Sequence, residues 1–221
     1  MRDETFWHIF NKQFKPGLEG RGETFEQMFL YLDRFDRPVG ILETGCVRDG
    51  QNWTKTGGST ILFDTYAKYH SGSVVYTIDL DPEATSACRN LVGSNVKIHT
   101  GDSVAYLRNF ADAPPADFPF LDLLYLDSYD VDLREPGPSA LHHLKEIAAI
   151  TPLIRVETLV ALDDSPLEIY GFGEGDKFTV SATPRIGGKG KYIAEYAEQV
   201  GATQHFSAYQ CGWTGFRSVK A

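Results

Sequence analysis

Basic charge is in short supply in this sequence: 21 Lys and Arg face 30 Asp and Glu, for a formal net charge of −9 over 221 residues. Binding to a nucleic-acid backbone or an anionic membrane needs clustered Lys and Arg, so neither partner is expected. Cysteine is scarce as well. Cys46, Cys88 and Cys211 are odd in number and lack metal-ligand spacing, which argues against a disulfide framework and a zinc site and fits a reducing cytoplasm. No stretch approaches the ~20 apolar residues of a membrane span, and the opening MRDETFWHIF lacks the basic segment and apolar run of a secretory signal. A G-x-G-x-x-G fingerprint is also missing after the first predicted strand, which argues against a nucleotide-handling oxidoreductase.

What is present is a succession of strand and helix patterns. At 42% hydrophobic residues, the chain is long enough for one well-buried domain and short for two. The organising stretch is PVGILETGCVRDG, Pro38 to Gly50: an apolar run reaches Glu43 and empties into a turn punctuated by Gly45 and Gly50. Before it, Thr24 to Phe35 reads as a helix, with Thr24 and Gln27 at capping-box spacing and Phe25, Met28, Phe29 and Leu32 on one stripe. After it come a helix capped by Ser59 or Thr60, a strand from Val74 ending on Asp79, and a helix with Asp81 as N-cap and Pro82 at its first position. A strand from Asn95 to His99 leads to a helix begun by Gly101-Asp102-Ser103. Phe120 to Leu126 is a strand that delivers Asp127, the segment SALHHLKEIAAI is a helix, and Val156 to Leu162 is a strand that delivers Asp163 and Asp164.

The last third differs. Ser165 to Lys189 shows no clear periodicity and reads as a long loop, a candidate lid over a site. A helix from Lys191 to Val200 stops at Gly201, and two strands, Thr203 to Tyr209 and Trp213 to Val219, flank the turn QCG. The expectation is an α/β, Rossmann-like, doubly wound and mostly parallel seven-stranded sheet with an antiparallel C-terminal hairpin. Residues 1–37 are expected to form a helical cap on a core of residues 38–221, the whole a single domain.

The order of elements, the ILETG loop, the acid ending the second strand, the GDS after the third, the LDSYD after the fourth and the LDDS after the fifth together resemble a class I S-adenosylmethionine-dependent methyltransferase. Within that class the sequence looks most like the metal-dependent O-methyltransferases of the catechol and of the macrocin or antibiotic-sugar types. The resemblance implies S-adenosylmethionine as cofactor, with Glu43, Thr44 and Gly45 on its methionine part. Asp79 and Leu80 would lie near the ribose, and Asp102 and Ser103 at the adenine amine, with Asp127 also at the cofactor. A carboxylate at a strand end is placed to accept two hydrogen bonds from a ribose diol, which is the physical reason for Asp79. Val47 stands where the usual second glycine would be.

The same resemblance makes Asp127, Asp163 and Asp164 the ligands of a divalent metal, with magnesium expected, since three carboxylates ending neighbouring strands suit a hard cation. For the proton-accepting base the residues leave Asp130, His142 and His143 open, while Asp127 is expected to be catalytic as the first metal aspartate. Asp130 stands where the catechol enzymes have a lysine. Tyr129 and Asp132 are a further candidate substrate contact and outer-shell group. The implied activity is methyl transfer to a hydroxyl of a small molecule, without a nucleic-acid or membrane partner; a homo-oligomer is left open. The alternative from another class is a catalytically silent protein of the same fold that binds the cofactor or a nucleoside.

Overall fold

The computed structural model describes residues 3–50, 58–172 and 179–216. Its centre is β1 (Gly40–Thr44), flanked by two parallel strands, β2 (Val74–Asp79) and β4 (Leu121–Leu126). Outside these lie β3 (Val96–Thr100) beyond β2 and β5 (Leu159–Leu162) beyond β4, again parallel. The sheet is completed by the antiparallel hairpin of β8 (Thr203–Ser207) and β9 (Cys211–Thr214), in the order β3-β2-β1-β4-β5-β9-β8. This is the mostly parallel seven-stranded sheet with a C-terminal hairpin that the element pattern implies. Strand order turns back at β1, between β2 and β4. In open α/β sheets, ligands bind in the crevice at the carboxyl ends of the strands at such a switch point.

Helices cover both faces, and strand periodicity decides which residues meet them. Ile41, Val75, Leu123, Tyr125, Leu159 and Ala161 pack with α1 (Glu4–Ile9), α2 (Arg21–Leu32) and α3 (Ser59–Tyr69). Their neighbours Leu42, Val74, Tyr76, Leu124, Leu126, Val160 and Leu162 face the other way. They pack with α5 (Ser103–Asp112), α6 (Gly137–Ile150) and α7 (Lys191–Val200). A strand buried on both faces has no polar alternation to show, which is why LDLLYL reads as a nearly continuous apolar run. Its one polar member, Asp122, is fully buried at the end of the sheet opposite the cleft. There it accepts from Arg37 (2.7 and 2.8 Å), Arg155 (2.9 Å) and the Gly40 amide (3.1 Å).

The expected caps of α4 (Pro82–Leu91) and the stop of α7 are observed. Asp81 accepts from the Glu83 amide, and Gly201 has the left-handed φ of 73°. Three expectations change, and the N-terminal segment adds detail. Helix α2 begins at Arg21 without a side-chain cap, because Thr24 is drawn into the fold, where its hydroxyl donates to Gln210 Oε1. The aromatic N-terminal segment is itself ordered: α1 is followed by a π-helical turn over Phe10–Phe14, and Phe6 and Phe10 pack on Phe29. Ser59 and Thr60 do not cap α3. Their hydroxyls donate instead to the two oxygens of Glu43, at 2.6 and 2.7 Å. The predicted loop from Ser165 to Lys189 contains a two-stranded antiparallel sheet of β6 (Leu167–Phe172) and β7 (Thr179–Ile186). Residues 173–178 between them lie outside the described part. The expected last strand is found as β9, which begins at Cys211, inside the expected turn, and ends at Thr214; Gly215 and Phe216 lie beyond it, and residues 217–219 fall outside the described residues.

Candidate active site

At the carboxyl ends of β1, β4 and β5 the chain leaves a cleft of about 340 Å³, lined by Gly45, Cys46, Arg48, Asp127, Asp130 and Lys189 among others. The turn after β1 passes very close to β4. The Gly45 φ is 83°, and a Cβ there would lie 2.5 Å from the Asp127 carbonyl oxygen, so no other residue fits without displacing backbone. Asp79 ends β2 nearby, 6% exposed. Its carboxylate accepts from the Cys46 amide (3.1 Å) and the Asp81 amide (2.9 Å), which fixes its orientation and leaves lone pairs for a ligand. Arg48 lies between acids, 3.9 Å from both Asp79 and Asp130.

Asp127, Asp163 and Asp164 do come together, as the strand ends require, but around a side chain. Lys189, 1% exposed, donates to Asp127 Oδ1 and lies 3.0 Å from Asp164 Oδ2. Arg21, reaching in from α2, pairs with Asp163 Oδ2 at 3.2 Å. Burial alone would lower the Lys189 pKa, yet Asp127 and then Asp164 outweigh it and hold the ammonium above its ordinary range. Burial pushes Asp127 well above the usual carboxylate range against the pull of Lys189, and burial with Asp164 alongside raises Asp163. Asp164 goes the other way: burial opposes its charge, but Lys189 prevails and keeps it below the ordinary value. We hold Lys189 to be charged, since a neutral amine would leave Arg21 to balance three acids. Among the described residues no group of three or more His, Cys, Asp or Glu side chains is arranged to hold a metal ion. In this structure the Lys189 ammonium stands among the carboxylates expected to hold magnesium.

The other predicted residues divide between cleft and interior. Glu43 is fully buried and accepts from Ser59 and Thr60; burial, only partly offset by the hydroxyls of Ser59, Thr77 and Thr60, raises its pKa to about 7. These bonds tie β1 to the start of α3. Thr44 is also fully buried, 3.3 Å from Glu146. Asp102 caps α5 through the Ala105 amide, and Leu80 is 73% exposed beside Asp79. Ser103 is bonded to His142 Nε2 at 3.0 Å, and His142 lies 3.3 Å from Glu146. His143 is fully buried, with Nδ1 bonded to the Ser139 carbonyl, and burial takes its pKa down to about 4. Neither histidine lines the cleft, so neither is placed to take a proton there. Asp130 does line it, with an 88% exposed side chain. Tyr129 packs its ring against His142 (centroids 5.2 Å apart), and Asp132 is exposed and bonded to Arg134.

A scan against protein-family models and a search of curated proteins found no match. Among solved structures, a calicheamicin methyltransferase, CalS11, aligns with TM-score 0.51 at 15% identity, over 96% of this chain and 90% of that one. Apo CalS11, described as a TDP-rhamnose 3'-O-methyltransferase, gives TM-score 0.50 at 14% identity, over 96% and 92%. The fold is that of a class I S-adenosylmethionine-dependent methyltransferase. The MycE methyltransferase of mycinamycin biosynthesis, solved with Mg and SAH, aligns more loosely, with TM-score 0.43 at 16% identity over 65% of this chain; the match spans about a third of that protein's length.

Set on this methyltransferase fold, three groups that sequence reasoning missed become visible. Lys189 was readable only as the end of a featureless stretch, although a lysine bracketed by glycines in Gly187-Gly188-Lys189-Gly190 is a usable signal. Arg21 carries no local signal, since its partner Asp163 is 142 positions away. Glu146, on the buried side of α6, gathers Ser128 (2.7 Å), Thr44 and His142 under the strand ends. Its spacing of four from His142 and three from His143 was its only trace.

Proposed function

We propose that the protein is an S-adenosylmethionine-dependent methyltransferase that transfers a methyl group to a hydroxyl of a small molecule. The reading is carried by the switch-point cleft, where the Gly45 turn, the oriented Asp79 carboxylate and Asp127 stand at adjacent strand ends. The cleft also suits the charge of the cofactor: five aspartates line it against three cations, a surplus that favours a sulfonium and an ammonium over a polyphosphate.

In this reading Asp79 accepts the ribose hydroxyls, exposed Leu80 lies along the adenine, and Asp102 and Ser103 border it. Arg48 spans Asp79 and Asp130, linking the cofactor side of the cleft to the acceptor side. S-adenosylmethionine, when bound, supplies the electrophilic methyl. What the chain contributes is alignment and proton acceptance. Asp130, at the open side of the cleft, is placed to receive the acceptor's hydroxyl proton as the oxygen–carbon bond forms and the sulfur–carbon bond breaks. Asp127, held by Lys189, fixes the position of the acceptor. A sugar hydroxyl of the kind CalS11 is described as methylating belongs to this acceptor class. Arg21 brings the N-terminal helices into the cleft, so we take residues 1–37 and the core as one working unit.

Isothermal titration with S-adenosylmethionine and with NAD tests the cofactor. Binding of the first alone is expected, and no binding of S-adenosylmethionine would end this reading. Because a side chain fills the centre of the acid cluster, a second reading is a protein that binds the cofactor without transferring its methyl. Transfer of a labelled methyl group to any of a panel of hydroxylated small molecules would exclude it.

A further inference from the structure

The centre of the acid cluster is built to hold one particular cation. Gly188 has a left-handed φ of 54°, and a Cβ on it would lie 2.0 Å from the Asp164 carbonyl oxygen. At Gly190, a Cβ would come within 2.9 Å of Ser165 Oγ and Cys211 Sγ. The two glycines let the turn before α7 press against the strand ends, and the Lys189 amide then donates to the Asp164 carbonyl at 3.0 Å. The side chain between them runs into the cluster, where it meets Asp127 and Asp164. Arg21 takes the outer oxygen of Asp163, whose other oxygen accepts the Asp164 amide at 2.9 Å.

We propose that Lys189 is the permanent cation of this site, standing among Asp127, Asp163 and Asp164 where a divalent ion would otherwise bind, so that the protein works without one. For the acceptor this inference rests on the methyltransferase reading, and it deepens it. A metal ion chelates two substrate oxygens, whereas an ammonium offers hydrogen bonds one at a time. The acceptor class is therefore a molecule presenting a single hydroxyl to the cleft, with no requirement for a vicinal diol.

Titration of Mn²⁺ against the full chain, followed by loss of the free-ion electron paramagnetic resonance signal, tests the substitution. The wild type is expected to leave the signal unchanged, and Lys189→Ala to take up one ion per chain at least about tenfold more tightly, because three carboxylates then face an open oxygen-lined space. Its thermal midpoint should rise with Mn²⁺ while that of the wild type does not. Lys189→Met, which keeps the packed stem, replaces the alanine variant if that one does not fold. Stoichiometric uptake by the wild type overturns the proposal, and so does a folded variant that gains no binding. S-adenosylmethionine titrated against the same wild-type sample keeps the two readings apart. Failure to bind there, with the manganese result as expected, ends the methyltransferase reading and leaves Lys189 as the cation of the cluster.

Discussion

Gly188 and Asp164 are in backbone contact: the Asp164 carbonyl oxygen occupies the position a Cβ at residue 188 would need. Both residues have left-handed φ, 54° and 41°, and Asp164 has a side chain to accommodate in that region. Such backbone is tolerated where surrounding contacts over-determine it, and here the ion pairs to Lys189 do so. Gly188→Ala should cost about 2–4 kcal/mol of stability, the sum of a strained φ and an overlap that backbone must yield to relieve. Chemical denaturation measures it; a variant as stable as the wild type would show that the turn can relax away from the acids.

Glu43 should make stability depend on pH. Its folded pKa of about 7 lies above the ordinary carboxyl value of 4.5, with burial as the chief cause. A group raised in the folded state binds its proton more tightly there, so its stabilising contribution is full below about pH 4.5 and is lost as pH rises through 7. The span corresponds to about 3 kcal/mol at 1.36 kcal/mol per pH unit. Unfolding free energies of wild type and Glu43→Gln between pH 5 and 8 isolate it from the other acids. The wild type should lose ground to the variant as pH rises, and parallel curves would contradict the assignment.

Asp122 should matter for stability and not for the cofactor. It is a fully buried charge held by Arg37 and Arg155, and removing one partner of such a cluster costs about 3–5 kcal/mol because the remaining charges lose their compensation. Asp122→Ala is expected to lower the unfolding free energy by that amount, and the denaturation midpoint with it. Affinity for S-adenosylmethionine, measured well below the new midpoint, should not change.

Asp79 should show the opposite pattern. Asp79→Asn keeps an oxygen for one of the two amides it serves and loses the charge, so S-adenosylmethionine binding should weaken by about 1.5–3 kcal/mol while the fold persists. Asp79→Ala should weaken it at least as much and also loosen the Cys46 and Asp81 turns. Calorimetric affinities that match the wild type in both variants would remove Asp79 from the cofactor site.

The sequence by itself determined the layout. Apolar runs that end on Glu43, Asp79, Asp127 and Asp163 located four of the strands and put their acids at one edge, because strand boundaries follow from short-range patterning. The Asp81–Pro82 start and the Gly201 stop were equally local, each a matter of one residue's preferred dihedral angles or capping group. What only the tertiary structure decided is what those acids face. Glu43 turned inward to Ser59 and Thr60, residues that looked like helix caps until the packing of α3 supplied them with a buried carboxylate. The stretch after Ser165 concealed β6 and β7, which pair with each other outside the main sheet, because its residues show no clear apolar alternation. The acids of the fourth and fifth strands acquired Lys189 and Arg21 as partners, from 62 and 142 positions away. Electrostatic partners are chosen by distance in space, and no local pattern encodes which charge the chain will fold back to place there.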